Sequence, residues 1–242
     1  MTETILILGG TREGAELAAR LVMSRPEARV VTSLAGRTKE PAPLSGEVRI
    51  GGFGGAAGLA DWMKNNTVTA LIDATHPYAE TISANAVAGA ETAGVPLLRI
   101  ARPAWPPEAG DRWIEVRDLE AAVDAVPGRS VSFLALGSQH VGAFSVRPDC
   151  HFIVRMVDPP ESPLPFDAEI VLGRPGADAT SEEALFRAYD IDCIVCRNSG
   201  GDAGYAKIAA ARNLGLPVIM IARPPSSSAG HATVDDLLAA LG

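Results

Sequence analysis

Residues 5–14 read ILILGGTREG, an apolar run followed by a glycine-rich turn, and this stretch decides the fold prediction. The apolar run is typical of a buried β-strand. After the turn, small and apolar residues recur at the spacing of one helix face: Gly14, Leu17, Ala18 and Leu21. This spacing predicts a helix that runs back along the strand. A strand, a tight turn and a helix in this order begin a βαβ unit, so the chain is predicted to be an α/β protein.

The same alternation of apolar runs and helical stretches continues along the chain, which favours parallel sheets. Strands are predicted at 4–8, 29–34, 47–50, 70–73 and 96–100, and then at 113–116, 131–136, 151–157, 170–172, 192–196 and 217–221. The prolines between 159 and 165 break any ladder or helix, so this stretch is predicted to be a loop.

An internal repeat predicts the domain organisation. Residues 94–103 read GVPLLRIARP and residues 215–224 read GLPVIMIARP, with six of ten positions identical. Each copy follows an alanine-rich helix, which itself follows a strand and a polar loop. We therefore predict two Rossmann-like domains with mainly parallel sheets and a ligand cleft between them. The boundaries are 1–102 for the first domain, 103–112 for a proline-rich linker and 113–242 for the second domain.

Composition excludes several classes of protein. A formal net charge of −8 argues against a nucleic-acid binder, which needs a basic face. No apolar run is long enough to cross a membrane and the N-terminus lacks a targeting signal, so a cytoplasmic location is predicted. Cys193 and Cys196 lie in an apolar run, and with Cys150 they make an odd number, which indicates structural thiols rather than disulfides. The four histidines lack metal-ligand spacing, so no metal site is expected.

The turn after the first strand reads G-G-x-x-x-G, whereas the usual dinucleotide-binding fingerprint reads G-x-G-x-x-G. This turn still meets the physical requirements for binding a dinucleotide. Two adjacent glycines allow the ligand to approach the backbone closely, and free N–H groups at the helix start can hold a pyrophosphate. The candidate cofactor-binding residues are Gly9, Gly10, Thr11, Arg12 and Glu13. The alternative is a glycine-rich turn that binds no ligand.

The end of the second strand bears on the choice of cofactor. Dinucleotide folds that prefer NAD place an acid there, but this chain has none before Glu40. Ser33, Arg37 and Lys39 suit a 2′-phosphate, which favours NADP, although a solvated basic loop is the alternative. In the stretch GGFGG at 51–55, Gly52 and Phe53 are candidates for a wall of the cofactor site, or for a flexible turn only.

Two polar loops carry the remaining candidates. Asp73, His76 and Tyr78 are candidate proton-transfer groups after the fourth strand, with Thr75 beside the cofactor. The alternative is a turn whose polar residues cap the next helix. In the second half, candidate ligands for carboxylates surround a glycine pair: Arg197, Ser199, Gly200 and Lys207. The alternative there is a glycine loop followed by an exposed lysine.

Four motifs together resemble the precorrin-6A reductase family of cobalamin biosynthesis: GGTREG at 9–14, DATHPYA at 73–79, LLRIARPAW at 97–105, and RNSGG at 197–201 followed by Tyr205 and Lys207. The resemblance implies NADPH-dependent reduction of one double bond in the macrocycle of precorrin-6A, or of its cobalt complex, to give precorrin-6B. It also implies two Rossmann-like domains with substrate between them. Residues 159–165 carry no motif that matches the family.

Such a substrate is a tetrapyrrole with many carboxylates, while this chain is acidic overall, so local cations are expected to bind it. Beside the loop residues above, the candidates are Arg12, Arg99 and Arg102, with Trp105 or Tyr78 against the macrocycle. Two alternatives stay open: an NADP-dependent reductase of another small carbonyl or imine compound, and a non-catalytic NADP-sensing module. The oligomeric state is not predicted.

Overall fold

The structure, a computed structural model, describes residues 3–36, 43–224 and 230–242. The chain divides into two units, which are described separately. Unit 1 comprises Met1–Pro103 and Pro224–Gly242, and unit 2 comprises Ala104–Arg223.

Unit 1 contains a five-stranded sheet in which every neighbouring pair is parallel. Its strands are β1 (Thr4–Leu8), β2 (Arg29–Leu34), β3 (Glu47–Ile50), β4 (Ala70–Asp73) and β5 (Leu97–Arg99), in the order β3-β2-β1-β4-β5. Three helices connect them: α1 (Arg12–Ser24), α2 (Gly55–Asn65) and α3 (Glu80–Ala93). This is the strand order of a Rossmann-like sheet, in which ligands bind at the carboxyl edge.

The central strand β1 is buried on both faces. Ile5 and Ile7 pack with the apolar stripe of α1, whereas Leu6 and Leu8 pack with residues of α2 and α3. Because successive side chains of a strand point to opposite faces, this alternation places helices on both sides of the sheet.

Unit 2 contains a six-stranded sheet, again with parallel neighbours throughout. Its elements in chain order are β6 (Arg112–Val116), α4 (Leu119–Ala125), β7 (Val131–Ala135), α5 (Ser138–Val141), β8 (His151–Met156), β9 (Ala168–Leu172), α6 (Ala179–Ala188), β10 (Cys193–Arg197), α7 (Ala206–Leu214) and β11 (Pro217–Ile221). The strand order is β6-β11-β10-β7-β8-β9. Read from β9 to β11 it repeats the order of unit 1, and β6 is added beyond β11. The prediction of two Rossmann-like parallel sheets is confirmed.

The predicted strands all form, with ends shifted by at most two residues. Residues 159–165 lie between β8 and β9 without regular structure, as expected. All three cysteines are free and buried, and Cys193 and Cys196 lie in β10. Burial raises the pKa of both of these thiols, which is consistent with a structural role.

The C-terminal segment corrects the expected boundary of 113–242 for the second domain. A last helix, α8 (Val234–Leu241), packs Val234 and Leu237 into the core of unit 1. His231 also extends the sheet of this unit, since it forms a parallel bridge with Ile100. At the other boundary, residues 104–111 of the expected linker belong to unit 2. An amphipathic helix presents an apolar face but carries no signal of which sheet it will cover.

Within the described ranges, no helix combines the length and the apolar character needed to cross a bilayer. Among the same residues, no group of three or more His, Cys, Asp or Glu side chains is arranged to hold a metal ion.

Candidate functional site

Candidate residues of unit 1 lie in one row across the carboxyl edge of its sheet. The strand register pairs Leu8 of β1 with Ser33 of β2 on one side and with Asp73 of β4 on the other. Ser33 pairs in turn with Arg49 of β3, and Asp73 pairs with Arg99 of β5. The glycine turn follows Leu8 directly, so the turn and both polar strand ends share the edge at which such sheets bind ligands.

The glycine turn lies against the end of β2. The Gly9 N–H donates to the Ser33 carbonyl at 2.9 Å, and a Cβ atom on Gly9 would lie only 2.7 Å from Cγ2 of Thr32. Gly10 has a φ of +107°, a conformation that favours glycine. The turn therefore requires both glycines, whatever it binds.

Thr11 caps the first helix rather than offering a free hydroxyl. Its Oγ1 accepts the Gly14 N–H at 3.1 Å and donates to the Ala74 carbonyl at 2.7 Å, which joins the turn to the loop after β4. The N–H groups of Arg12 and Glu13 in the first helical turn have no acceptor within the helix. Their position and the helix dipole suit an anionic group.

Glu13 and Arg102 form an ion pair of 2.5 Å, and both side chains are mostly buried. Arg102 was expected to bind substrate and Glu13 to contact the cofactor. The structure pairs them with each other, so part of the positive charge of Arg102 is compensated within unit 1. Arg12 is exposed.

A cavity of about 180 Å³ opens at the carboxyl edge of unit 1. Its walls are the ends of β1 and β2, the glycine loop 51–55, Thr75, and Ile82 and Asn85 of α3. None of the described side chains that line it is charged. Cβ atoms on the glycines of the loop, which are Gly51, Gly52, Gly54 and Gly55, would meet no atom within 4 Å. The backbone of this loop is therefore open to a ligand, and Phe53 contributes the aromatic part of the wall.

Arg49 is a residue of this site that the sequence reasoning missed. Its guanidinium lies 3.8 Å from the centroid of the Phe53 ring and donates to Ser33 Oγ at 3.2 Å. It also donates to the carbonyls of Gly51 and Gly52. The available signal was an arginine two positions before the glycine loop, on a predicted strand. Arg37 and Lys39, the predicted 2′-phosphate ligands, lie outside the described residues.

Asp73 is 2% exposed and both of its oxygens have partners. Oδ1 accepts from the N–H of Thr75 at 3.1 Å and from its hydroxyl at 2.6 Å. Oδ2 accepts from Ser83 Oγ at 2.6 Å and lies 3.5 Å from Nε of Arg99. This arrangement holds the loop after β4 to α3 and β5. Ser83 is a further contact that sequence reasoning missed.

His76 and Tyr78 lie half-buried in the same loop, with ring centroids 5.6 Å apart. The backbone N–H of Tyr78 donates to Nδ1 of His76 at 3.3 Å. This bond occupies one of the two ring nitrogens of His76, and Nδ1 cannot donate a proton while it accepts.

In unit 2, Trp105 is buried in the core rather than exposed as a platform. The side chain of Asn198 accepts from the Trp105 N–H at 2.8 Å and donates to its carbonyl at 3.0 Å. The indole N–H donates to the carbonyl of Gly201 at 2.8 Å. Asn198, which the sequence reasoning passed over, therefore joins the loop after β10 to Trp105. The positive φ values of Gly200 and Gly201 favour glycine at both positions.

Lys207 is 6% exposed, so the alternative of an exposed lysine is wrong. Its Nζ donates to the Gly204 carbonyl at 2.6 Å and lies 4.9 Å from the centre of the Trp105 ring system. Burial lowers the pKa of this ammonium. Arg197 is half-buried at the end of β10, and its carbonyl accepts the N–H of Ser199 at 2.8 Å.

Two parallel Rossmann-like sheets, with a glycine turn and an open cavity at the carboxyl edge of the first, define the class of nucleotide-binding α/β proteins. Within this class the chain belongs to the family described as precorrin-6x reductase CbiJ/CobK, whose model matches residues 4–242. The resemblance inferred from the four motifs is thereby confirmed. Membership of a reductase family implies a nicotinamide cofactor.

Individual relatives extend this match over nearly the whole chain. The precorrin-6A reductase of Rhodobacter capsulatus is 47% identical over 222 residues, which cover 91% of this chain and 88% of the relative. That of Rhodococcus erythropolis is 44% identical over 238 residues, with 98% and 95% covered. A solved structure of the precorrin-6A reductase CobK is 44% identical, covers 100% of this chain and 96% of its own, and superposes with a TM-score of 0.93.

Proposed function

We propose that this protein reduces one double bond of precorrin-6A with NADPH, giving precorrin-6B. The observation that carries the proposal is the arrangement at the carboxyl edge of unit 1. The glycine turn follows β1, the loop with His76 and Tyr78 follows the neighbouring strand β4, and an open cavity lies at the same edge. The relatives named precorrin-6A reductases support the choice of substrate. A cytoplasmic location stays a prediction from the sequence.

The residues of unit 1 fit a dinucleotide. The N–H groups of Arg12 and Glu13 would hold the pyrophosphate, with Gly9 and Gly10 allowing its close approach. The adenosine would lie in the cavity against the glycine loop 51–55, where four glycines leave the backbone open. Ser33 and Leu34 at the end of β2 would lie nearest the ribose. The bound nicotinamide supplies the hydride for the reduction.

The protein's own groups supply the proton and hold the loop. We assign the proton donor to Tyr78, because Nδ1 of its neighbour His76 accepts a backbone hydrogen bond and cannot donate a proton there. Asp73 positions the loop through Thr75 and Ser83 rather than transferring a proton, since both of its oxygens are engaged. Arg99, beside Asp73, and Arg102 stay proposed ligands of substrate carboxylates.

In unit 2 we propose that Arg197, Ser199, Gly200 and Lys207 bind substrate carboxylates. Lys207 supports this role most directly. An ammonium has three N–H donors, and among the described residues only the Gly204 carbonyl accepts from Nζ. No described carboxylate lies within ion-pair distance of Nζ. A buried cation without a carboxylate partner suits an anionic ligand. Trp105, which is buried beside Lys207, would support this loop rather than stack on the macrocycle.

Turnover tests the proposed function. The purified protein, mixed with precorrin-6A and NADPH, is expected to change the absorption spectrum of the tetrapyrrole and to oxidise one NADPH for each molecule reduced. An NADP-sensing module would bind NADPH without oxidising it. A reductase of another class would oxidise NADPH with small carbonyl or imine compounds and leave precorrin-6A unchanged.

Replacing Lys207 with methionine is expected to raise KM for precorrin-6A while kcat stays within a few-fold. Methionine keeps the apolar contact with Trp105 and removes the charge. A charge-assisted hydrogen bond contributes about 1.5–3 kcal/mol, so the expected rise in KM is about 10- to 150-fold. The melting temperature is expected to hold or to rise, because an uncompensated buried charge is removed.

Steady-state kinetics and thermal unfolding of the Lys207→Met protein measure both effects. Lys64→Met is the matched control, since Lys64 is exposed on α2 of unit 1 and should leave KM unchanged. A KM equal to that of the wild type would contradict the substrate role. A fall of kcat at saturating substrate would instead place Lys207 in the chemical step.

A further inference from the structure

Arg49 has no role in the reaction described so far, although its partners Ser33, Gly51 and Gly52 line the cavity proposed for the cofactor. It lies on β3 opposite Ser33, and Ser33 lines the cavity. Its guanidinium donates to Ser33 Oγ at 3.2 Å and to the carbonyl of Gly52 at 2.7 Å. The charge is therefore held beside the carboxyl end of β2.

That charge is not compensated by the described part of the chain. The other arginine joining β2 and β3, Arg29, forms an ion pair of 2.8 Å with Glu47 at the opposite end of the strands. Arg49 forms no ion pair with a described residue, and its acceptors are one hydroxyl and two carbonyls. A guanidinium has five N–H donors, so two of them are not used by any described residue.

The place of this charge defines the ligand chemistry. In Rossmann-like sheets, residues at the end of β2 contact the adenosine ribose. An acid there binds the 2′-hydroxyl of NAD, whereas an arginine binds the 2′-phosphate of NADP. Among the residues that the structure describes, none that lines the cavity beside Ser33 is acidic. A carboxylate at this position would repel a phosphate, whereas a guanidinium matches its geometry and charge.

Several contacts hold the guanidinium of Arg49. Its Cζ lies 3.8 Å from the centroid of the Phe53 ring, and the same group donates to the carbonyls of Gly51 and Gly52. A side chain that is already ordered loses little conformational entropy when a ligand binds. We propose that Arg49 binds the 2′-phosphate of NADPH and sets the preference for NADPH over NADH. The inference rests on the proposed function, because it deepens the assignment of the cofactor.

The test measures binding rather than turnover. Dissociation constants are determined by titration calorimetry for two pairs of ligands that differ in the 2′-phosphate: NADPH with NADH, and adenosine 2′,5′-bisphosphate with 5′-AMP. In Arg49→Gln, affinity for NADPH and for the bisphosphate is expected to fall by about 10- to 150-fold, the contribution of a charge-assisted hydrogen bond. Affinity for NADH and 5′-AMP is expected to change less than about threefold, because neither ligand makes the lost contact.

Two further variants sharpen the test. Arg49→Lys keeps the charge without the planar fork, so it is expected to recover part of the preference. Arg29→Gln removes a cation from the same pair of strands at their other end and is expected to leave all four constants unchanged.

Equal losses within each ligand pair would overturn the inference, because Arg49 would then only support the glycine loop. Unchanged constants in Arg49→Gln, with a loss of NADPH affinity in Arg37→Gln or Lys39→Gln, would overturn it in favour of those two residues. Failure of the wild-type protein to bind NADPH would instead count against the proposed function.

Discussion

Replacing Tyr78 with phenylalanine is expected to lower kcat for precorrin-6A reduction by about 100- to 10,000-fold, the range that a positioned general acid contributes. The substitution removes one hydroxyl and keeps the ring beside His76. The hydroxyl is the proposed donor of the pair, since Nδ1 of the neighbouring His76 ring accepts the Tyr78 N–H and cannot donate a proton there. Single-turnover absorbance changes at saturating NADPH and precorrin-6A measure the chemical step directly.

The affinity for NADPH should be unchanged in Tyr78→Phe, because the phenol does not line the cavity assigned to the adenosine. Tyr189→Phe is the matched control: it removes a phenolic hydroxyl at the end of α6 in unit 2 and should leave kcat unchanged. A Tyr78→Phe protein with the kcat of the wild type would exclude Tyr78 as the donor. His76→Gln would then test the other group in this loop.

Replacing Glu182 with alanine is expected to destabilise the protein by about 3–5 kcal/mol, the usual cost of leaving one partner of a buried ion pair alone. The carboxylate has no exposed surface and accepts from Nη1 of Arg155 at 2.8 Å. It also accepts the N–H of Gly176, so it joins α6 to the loop that precedes it. For a chain of this length the melting temperature should fall by roughly 6–20 °C.

Unfolding by guanidinium chloride and by heat measures this loss of stability. Glu16→Ala is the control, because Glu16 and Arg20 form a solvent-exposed pair on α1 and such surface pairs contribute about 0–1 kcal/mol. The double variant Glu182→Leu with Arg155→Met should regain most of the lost stability, since it leaves no unpaired buried charge. A single Glu182→Ala protein as stable as the wild type would show that water or another group compensates Arg155.

The elements were predictable because their signals are local. Residues 5–14 predicted a strand, a turn and a helix, and the structure places β1, the glycine turn and α1 there. The repeat at 94–103 and 215–224 corresponds to the fifth strand of the shared order in each unit, β5 and β11. Apolar spacing and glycine positions report directly on such segments.

Contacts between residues far apart in the chain were harder to predict from the sequence. Thr11 was expected to offer its hydroxyl to a ligand, but this hydroxyl donates to Ala74, which lies 63 positions further along the chain. Asp73 was a candidate acid, yet one of its oxygens accepts from Ser83 on α3 and lies 3.5 Å from Nε of Arg99 on β5, two contacts that a strand pattern does not report. Lys207 had an exposed-lysine alternative, but it is buried, and its Nζ lies 4.9 Å from the ring of Trp105, which stands far earlier in the chain.

The sequence by itself determined the class of fold, the two parallel sheets and the family, because spacing, turn chemistry and motifs are properties of short segments. Only the tertiary structure decided which residues stand together at the carboxyl edge. Strand register places Arg49 beside Ser33. Packing of Val234 and Leu237 places α8 against the core of unit 1. Register and packing are settled by burial and hydrogen bonds between segments far apart in the chain, and no local pattern records them.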